Sequence, residues 1–155
     1  MIQEFILTPY FPILLAFALG SVLGMQREYS GKPAGLRTYA LVATGAALFT
    51  VISRAGFNEF LVDPSRFDPS RIASNIVTGI GFLGAGVILV KGAKVQGLTT
   101  AAGLWVAAAI GMATGVKMYG LAIFTTILVY VALELFGKVS FDKKDKKRKV
   151  IADDE

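Results

Sequence analysis

The 155-residue sequence contains neither cysteine nor histidine. Disulfides are therefore excluded, as are the usual zinc and haem ligands and nucleophilic triads that need Cys or His. Any metal ion would have to be a hard cation held by oxygen atoms, and its ligands cannot be assigned from the sequence. We predict no catalytic residue and no cofactor, so the chain is not expected to be an enzyme. The first 25 residues also lack Lys and Arg, which argues against a cleaved signal peptide with a basic start.

Charge is scarce along most of the chain, and long apolar runs take its place. Hydrophobic residues make up 54% of the sequence, and the mean hydropathy is +0.61. A helix needs about 20 apolar residues to cross a bilayer. The sequence therefore predicts an all-α polytopic membrane protein, a bundle of five transmembrane helices over residues 1–137, and a charged, partly disordered cytoplasmic tail over 138–155. The predicted spans are residues 8–25, 38–52, 72–90, 101–115 and 119–136.

The distribution of Lys and Arg predicts the orientation in the membrane. Seven of the sixteen basic residues lie in 138–149, so the net charge of +5 reflects a tail, and no nucleic acid is expected as a partner. With five spans, the first loop, the third loop and the tail carry twelve basic residues on one side, against four on the other. Because cytoplasmic loops are enriched in Lys and Arg, we predict the N-terminus outside and the C-terminus in the cytoplasm.

The third predicted span is unusually rich in glycine. At helical spacing Gly79 and Gly86 share one face, whereas Gly81 and Gly84 share the opposite face. Small residues let transmembrane helices approach closely, so we expect this span at the centre of the bundle. The spacing Gly79-x-Gly81-x-x-Gly84 also matches a dinucleotide-binding fingerprint. The apolar run offers no strand–turn–helix context, so we favour helix packing.

The fourth span also carries a stripe of small residues, with Gly103, Gly111 and Gly115 among its members. It opens with Gly-Leu-Thr-Thr at 97–100, and the second span opens with Gly-Leu-Arg-Thr at 35–38. This offset of 62 residues fits two parallel two-helix repeats plus a fifth helix. Coincidence among glycine-rich helices explains it equally well. The fifth span is poor in glycine after Gly120, and we expect it to be the most lipid-exposed.

Two groups of polar residues at predicted span ends are candidate functional sites. The first would form a cytoplasmic cluster, either a structural clamp or a ligand- or ion-sensing site, and Glu28 is expected to pair with Arg27 or Arg37. The second lies at the outer start of the third span, where a helix cap is the alternative. The first group is Arg27, Glu28, Arg37, Thr38, Thr99 and Thr100, and the second is Asp68, Arg71 and Asn75.

Several segments together resemble the membrane domain of the MgtC/SapB family, in one order and over most of the chain. The matching segments are QREY at 26–29, GKPAGLRT at 31–38, LVATGAA at 41–47, DPSRIA at 68–73, VTGIGFLGAG at 77–86 and GLTTAA at 97–102 with LW at 104–105. The resemblance implies a bacterial inner-membrane protein of magnesium homeostasis. It also implies the F-type ATP synthase as a candidate partner, because some members are described as restraining it.

Two departures separate the chain from the family pattern. The family usually has Glu-Arg where this chain has Gln26-Arg27, so Glu28 would have to replace that carboxylate. Many members also carry a soluble C-terminal domain, whereas this sequence ends in a charged tail. These departures favour the shorter, SapB-like members.

Two functions from different classes follow. The first is a regulatory or adaptor protein that acts in adaptation to low magnesium by binding other membrane proteins. The second is a small oligomeric transporter or channel for a divalent cation such as Mg²⁺. In either case we expect membrane lipids as neighbours and a homo-oligomer, most simply a dimer.

Overall fold

The computed structural model describes residues 8–55, 68 and 70–152, with side chains as far as Gly137. The described residues form an all-α fold with five helices and one short hairpin. The elements in chain order are α1 (Tyr10–Tyr29), α2 (Leu36–Ala55), α3 (Ser70–Gly86), β1 (Leu89–Lys91), β2 (Lys94–Gln96), α4 (Leu98–Gly115) and α5 (Tyr119–Ala152).

Four helices are long and apolar enough to cross a membrane: α1, α2, α4 and the segment Tyr119–Gly137 of α5. Helix α3 has 17 residues, which at 1.5 Å per residue gives about 25 Å, slightly less than the usual hydrocarbon thickness. Helices α2 and α4 both begin at the leucine of their Gly-Leu-x-Thr segments. The 62-residue offset noted in the sequence therefore coincides with two helix starts.

Contacts at both ends of the bundle show that successive helices run in opposite directions. The rings of Phe11 and Tyr119 pack edge to face at 5.1 Å, so α1 and α5 begin near each other. Arg54 Nη1 donates to the Gly115 carbonyl at 3.0 Å, so α2 and α4 end near each other. Gly84 faces Ala101, which brings the end of α3 to the start of α4. We call the end where α1 and α3 finish the Arg27 end.

Helix α4 occupies the centre of the bundle because its small residues let α2 come very close. A methyl group at Gly111 would overlap the Ala43 carbonyl, and one at Gly103 would overlap the Tyr39 hydroxyl. A Cβ atom at Gly115 would lie 2.6 Å from the Cβ atom of Thr50. Half of α4 is buried, the largest share among the four candidate spans.

The prediction that the third span lies at the centre is wrong. Only Ile80 and Gly84 of α3 are buried, and a Cβ atom at Gly79, Gly81 or Gly86 would have nothing within 4 Å. At Gly84 the nearest atom would be Ala101 Cβ at 3.7 Å, an ordinary contact. Small residues permit a close neighbour, but they do not decide whether that neighbour belongs to the same chain.

The predicted end of the third span at residue 90 is also wrong. Helix α3 stops at Gly86, and the chain forms an antiparallel hairpin in which Val90 pairs with Val95. The β-branched residues after Gly86 favour a strand. Gly92 has a φ of +58° at the turn, a conformation that glycine adopts without strain.

Helix α5 is the most exposed span, as its composition predicts, with 11% of its apolar segment buried. Its backbone continues as a helix to Ala152, so the partial disorder predicted for the tail is wrong through that residue. Lysine is a good helix former, and the Lys-rich segment extends the helix beyond the apolar core.

The close approach of α2 and α4 predicts a sharp contrast between two glycines. Gly111→Ala should lower the free energy of unfolding by about 1–3 kcal/mol, because the new methyl group would overlap the Ala43 backbone. Gly81→Ala is the matched control and should raise stability slightly, by up to about 1 kcal/mol, because its surroundings are open and alanine favours helix. Denaturant unfolding in detergent micelles measures both; equal stability of the two variants would contradict this packing.

Candidate functional site

A buried arginine lies at the centre of the Arg27 end. The last turn of α1 packs tightly on the start of α2, since a Cβ atom at Gly24 would lie 2.7 Å from Leu36 Cα. This contact buries Arg27 to 4% exposure. Its Nη2 donates to Thr100 Oγ1 at 3.2 Å. The Tyr39 hydroxyl donates to the Thr100 carbonyl at 3.4 Å, so α1, α2 and α4 meet at one threonine.

The positive charge of Arg27 is incompletely compensated. Arg27 Nε is buried and has no hydrogen-bond partner. Among the residues that the structure describes, no carboxylate forms an ion pair with this guanidinium. Arginine stays protonated in proteins, and a buried charge without a partner costs several kcal/mol. The site therefore favours the approach of an anion.

Gln26, the neighbour of Arg27, joins α1 to α5. Its side chain is 7% exposed, and Nε2 donates to Ser30 Oγ at 3.2 Å and to Glu134 Oε2 at 3.3 Å. Sequence reasoning missed both the Gln26–Glu134 contact and Tyr39. Polar residues within apolar runs usually find partners on another helix, and Glu134 is such a residue on α5.

The predicted cytoplasmic cluster is only partly assembled. Glu28 is exposed, and its Oε2 accepts a hydrogen bond from the Leu36 backbone N–H at 2.9 Å. It thus caps α2 and does not pair with either arginine, so the predicted ion pair is wrong. Arg37, Thr38 and Thr99 are exposed. The structure brings together Arg27 and Thr100 and leaves the others at the surface.

In the second candidate group, Asp68 caps the start of α3. Asp68 Oδ1 accepts hydrogen bonds from Ser70 N at 2.9 Å and Ser70 Oγ at 2.6 Å. These bonds hold the pKa of Asp68 below its usual value. The stabilisation of α3 by this cap is therefore fully present above the ordinary pKa of aspartate, and it is lost as the pH falls through the lowered pKa of Asp68. Arg71 and Asn75 are exposed on α3.

A cavity of about 710 Å³ opens beside Arg27. Its described lining carries two cationic side chains, Arg27 and Lys32, and no carboxylate. The opposite wall is apolar and comes from α5. The lining residues are Arg27, Ser30, Lys32, Pro33, Val95, Gln96, Gly97, Leu98, Thr99, Thr100, Ala132, Leu133, Phe136 and Gly137.

A second cavity of about 680 Å³ is a groove between α2 and α3. We call it the α2–α3 groove. Its walls are apolar apart from Asn75, and Gly45 and Gly79 make it wide, since a Cβ atom on either would meet nothing within 4 Å. The lining residues are Leu41, Val42, Gly45, Ala46, Phe49, Ile72, Asn75, Ile76, Gly79, Ile80, Leu83 and Ala108.

Within the described ranges, no group of three or more Asp, Glu, His or Cys side chains could hold a metal ion. The cavities of this part of the chain therefore suit an anion and an apolar partner better than a divalent cation.

The capping role of Glu28 gives a test of its importance. Glu28→Ala should lower the free energy of unfolding by about 1 kcal/mol, because the first turn of α2 loses an acceptor. Glu28→Gln keeps an acceptor oxygen and should cost less than half of that. Unfolding of both variants in detergent measures the effect. If Glu28→Gln abolished function at full folded yield, Glu28 would have a role beyond the cap.

Comparison with known proteins places these features in a family. The sequence profile of the MgtC family matches residues 13–141. The "Putative magnesium transporter YhiD" of Escherichia coli K12 is 49% identical over 130 residues, 83% of this chain and 60% of that protein. The "Protein MgtC" of Salmonella typhimurium LT2 is 44% identical over 133 residues, 85% of this chain and 54% of that protein.

An uncharacterized protein of Haemophilus influenzae is 40% identical over 126 residues, which are 79% of this chain and 53% of that protein. The chain thus matches between about half and three fifths of the length of these relatives. No solved structure matches it significantly. Because the family profile covers most of the sequence and several relatives exceed 40% identity over four fifths of it, the chain belongs to the MgtC family of bacterial multi-pass membrane proteins.

Proposed function

We propose that this protein is a regulatory adaptor of the inner membrane that acts during adaptation to low magnesium. It would act by binding a transmembrane helix of another membrane protein in the α2–α3 groove. The candidate partner is the F-type ATP synthase, which the family resemblance implies. A second copy of the chain is the competing occupant of the groove.

The observation that carries this proposal is the open packing of α3. A Cβ atom at Gly79, Gly81 or Gly86 would meet nothing within 4 Å among the described residues, whereas each glycine within α4 packs against α2. Helices associate in lipid through close van der Waals packing at small residues, since apolar burial alone gives no advantage there. The groove residues on α3 extend from Ile72 to Leu83, about 17 Å along a helix. A groove of that shape fits a helix.

The proposed topology has five membrane crossings, with the short α3 as the third. The alternating directions of the helices support it, because successive connections then lie at opposite ends of the bundle, as they do when each helix crosses the membrane. The Lys and Arg count supports placing the Arg27 end at the cytoplasmic face. The parallel course of α2 and α4 agrees with the proposed pair of repeats.

Transport of a divalent cation, which the name of one relative suggests, has less support. A pore for Mg²⁺ needs oxygen ligands that replace part of its water shell. The buried charge in the described bundle is the guanidinium of Arg27, which repels cations. We therefore expect proteoliposomes that contain the protein to take up Mg²⁺ no faster than empty liposomes. Saturable uptake above that background would overturn the adaptor proposal.

A cross-linking experiment tests the groove directly. The chain has no cysteine, so Leu83→Cys introduces a single thiol in the groove. Leu128→Cys is the matched control, because Leu128 is similarly exposed on α5, away from the groove. We expect Leu83→Cys, labelled in membranes with a thiol-reactive photo-cross-linker whose benzophenone end inserts into C–H bonds, to cross-link to a membrane subunit of the ATP synthase. Leu128→Cys should not. Cross-linking only between two Leu83→Cys chains would instead identify a homodimer interface.

A groove-filling variant links binding to function. Gly79→Phe should abolish growth support at low Mg²⁺ in cells that depend on this protein, while its amount in the membrane is unchanged, because the ring would occupy the partner's place. Leu128→Phe should support growth normally. Full support of growth by Gly79→Phe would exclude the groove as the functional surface.

A further inference from the structure

The cavity beside Arg27 joins three sources of positive potential. The first is the Arg27 guanidinium, 4% exposed and with Nε lacking a partner. The second is Lys32, whose exposed side chain lines the same cavity. The third is the start of α4, whose N-cap residue Gly97 offers no side-chain cap. The N–H groups of a first helical turn carry a partial positive charge and favour an anion.

Hydroxyl groups and shape add to this potential. Ser30, Thr99 and Thr100 line the cavity together with the two cations. The Glu134 carboxylate lies outside this lining and accepts a hydrogen bond from Gln26 Nε2. Arginine and lysine side chains with helix N–H groups are the usual recognition set for phosphate. A volume of about 710 Å³ accommodates a phosphate together with a small organic group.

The opposite wall indicates what else the ligand carries. Ala132, Leu133 and Phe136 of α5 line the cavity, near the end of the apolar part of that helix. One side of the cavity is therefore polar and cationic, and the other is apolar. That combination matches a phosphate group attached to an apolar chain, as in a lipid at the membrane surface.

We propose that this cavity is a binding site for a phosphate-bearing anion, in which Arg27, Lys32 and the start of α4 hold the phosphate. The phosphate can come from an anionic phospholipid headgroup or from a soluble phosphate, and the cavity chemistry is the same for both. This site is separate from the α2–α3 groove, and its proposal does not depend on partner binding there.

The test uses the full chain, purified in a neutral detergent. Ligand binding to the folded chain raises the midpoint of thermal unfolding, and the free energy of stabilisation follows RT ln(1 + [L]/Kd). A titration that follows this relation identifies a saturable site and gives its Kd. Short-chain phosphatidylglycerol, short-chain phosphatidylcholine and inorganic phosphate are titrated separately at constant ionic strength. We expect saturable stabilisation by phosphatidylglycerol, and much weaker stabilisation by phosphatidylcholine, whose choline group carries a positive charge. Saturable stabilisation by inorganic phosphate alone would assign the site to a soluble ligand.

Matched variants locate the binding. Lys32→Gln should weaken the affinity about tenfold, the effect of losing one charge-assisted contact. Arg37→Gln removes the same charge from an exposed position in the first turn of α2, outside the cavity, and it should leave the affinity unchanged. Ala132→Phe fills the cavity without altering charge and should abolish binding. Arg27→Gln should abolish binding too. Because this buried residue also supports folding, the location of the site is judged from the other three variants.

Two outcomes would overturn the proposal. One is the absence of saturable stabilisation by all three ligands. The other is equal weakening by Lys32→Gln and Arg37→Gln with no effect of Ala132→Phe, which would show that anions are attracted only by the general basic surface and the tail.

Discussion

The close approach of α4 to α2 at the glycines of α4 is the constraint on which the rest of the bundle depends. Gly103, Gly111 and Gly115 place the backbone of α4 against Tyr39, Ala43 and Thr50. In lipid, burial of apolar side chains gives little advantage, so contact between backbones has to supply the association. The same approach sets the position of Thr100 at the start of α4, and with it the position of the Arg27 guanidinium. The site at the Arg27 end is thus a consequence of glycines that lie up to about four helical turns away from Thr100.

The sequence predicted the helical class, the four long apolar helices and the exposure of α5 because these depend on local composition. It also pointed to Arg27 and Thr100, since a charge at a span end and a threonine at a helix start carry recognisable chemistry. It failed for α3 because one sequence contains two glycine-rich helices, and composition alone does not show which of them has a partner in the same chain. The placement of Glu28 failed for a related reason. An N–H group of the next helix is closer to this carboxylate than either arginine, and such backbone acceptors and donors leave no mark in a sequence.

The functional proposal depends on which residues already contact another part of the described chain and which do not. The glycines of α4 pack against α2, whereas Gly79 of α3 lies open in an apolar groove. At the Arg27 end, the hydroxyl of Thr100 satisfies one guanidinium nitrogen and leaves Nε without a partner. Both features are incomplete in the isolated chain. We propose an apolar helix as the partner of the α2–α3 groove and an anion as the ligand of the cavity beside Arg27. The two partners therefore differ in chemistry and bind at different places.

The hairpin between α3 and α4 has a mechanical consequence. Only residues 87–97 connect these helices, and six of them are held in the two paired strands, so little slack remains between Gly86 and Leu98. A rigid-body displacement of α3 along its axis would therefore carry the hairpin with it, including Val95 and Gln96, which form part of the cavity wall. In this way the hairpin connects the position of α3 to the shape of the cavity wall.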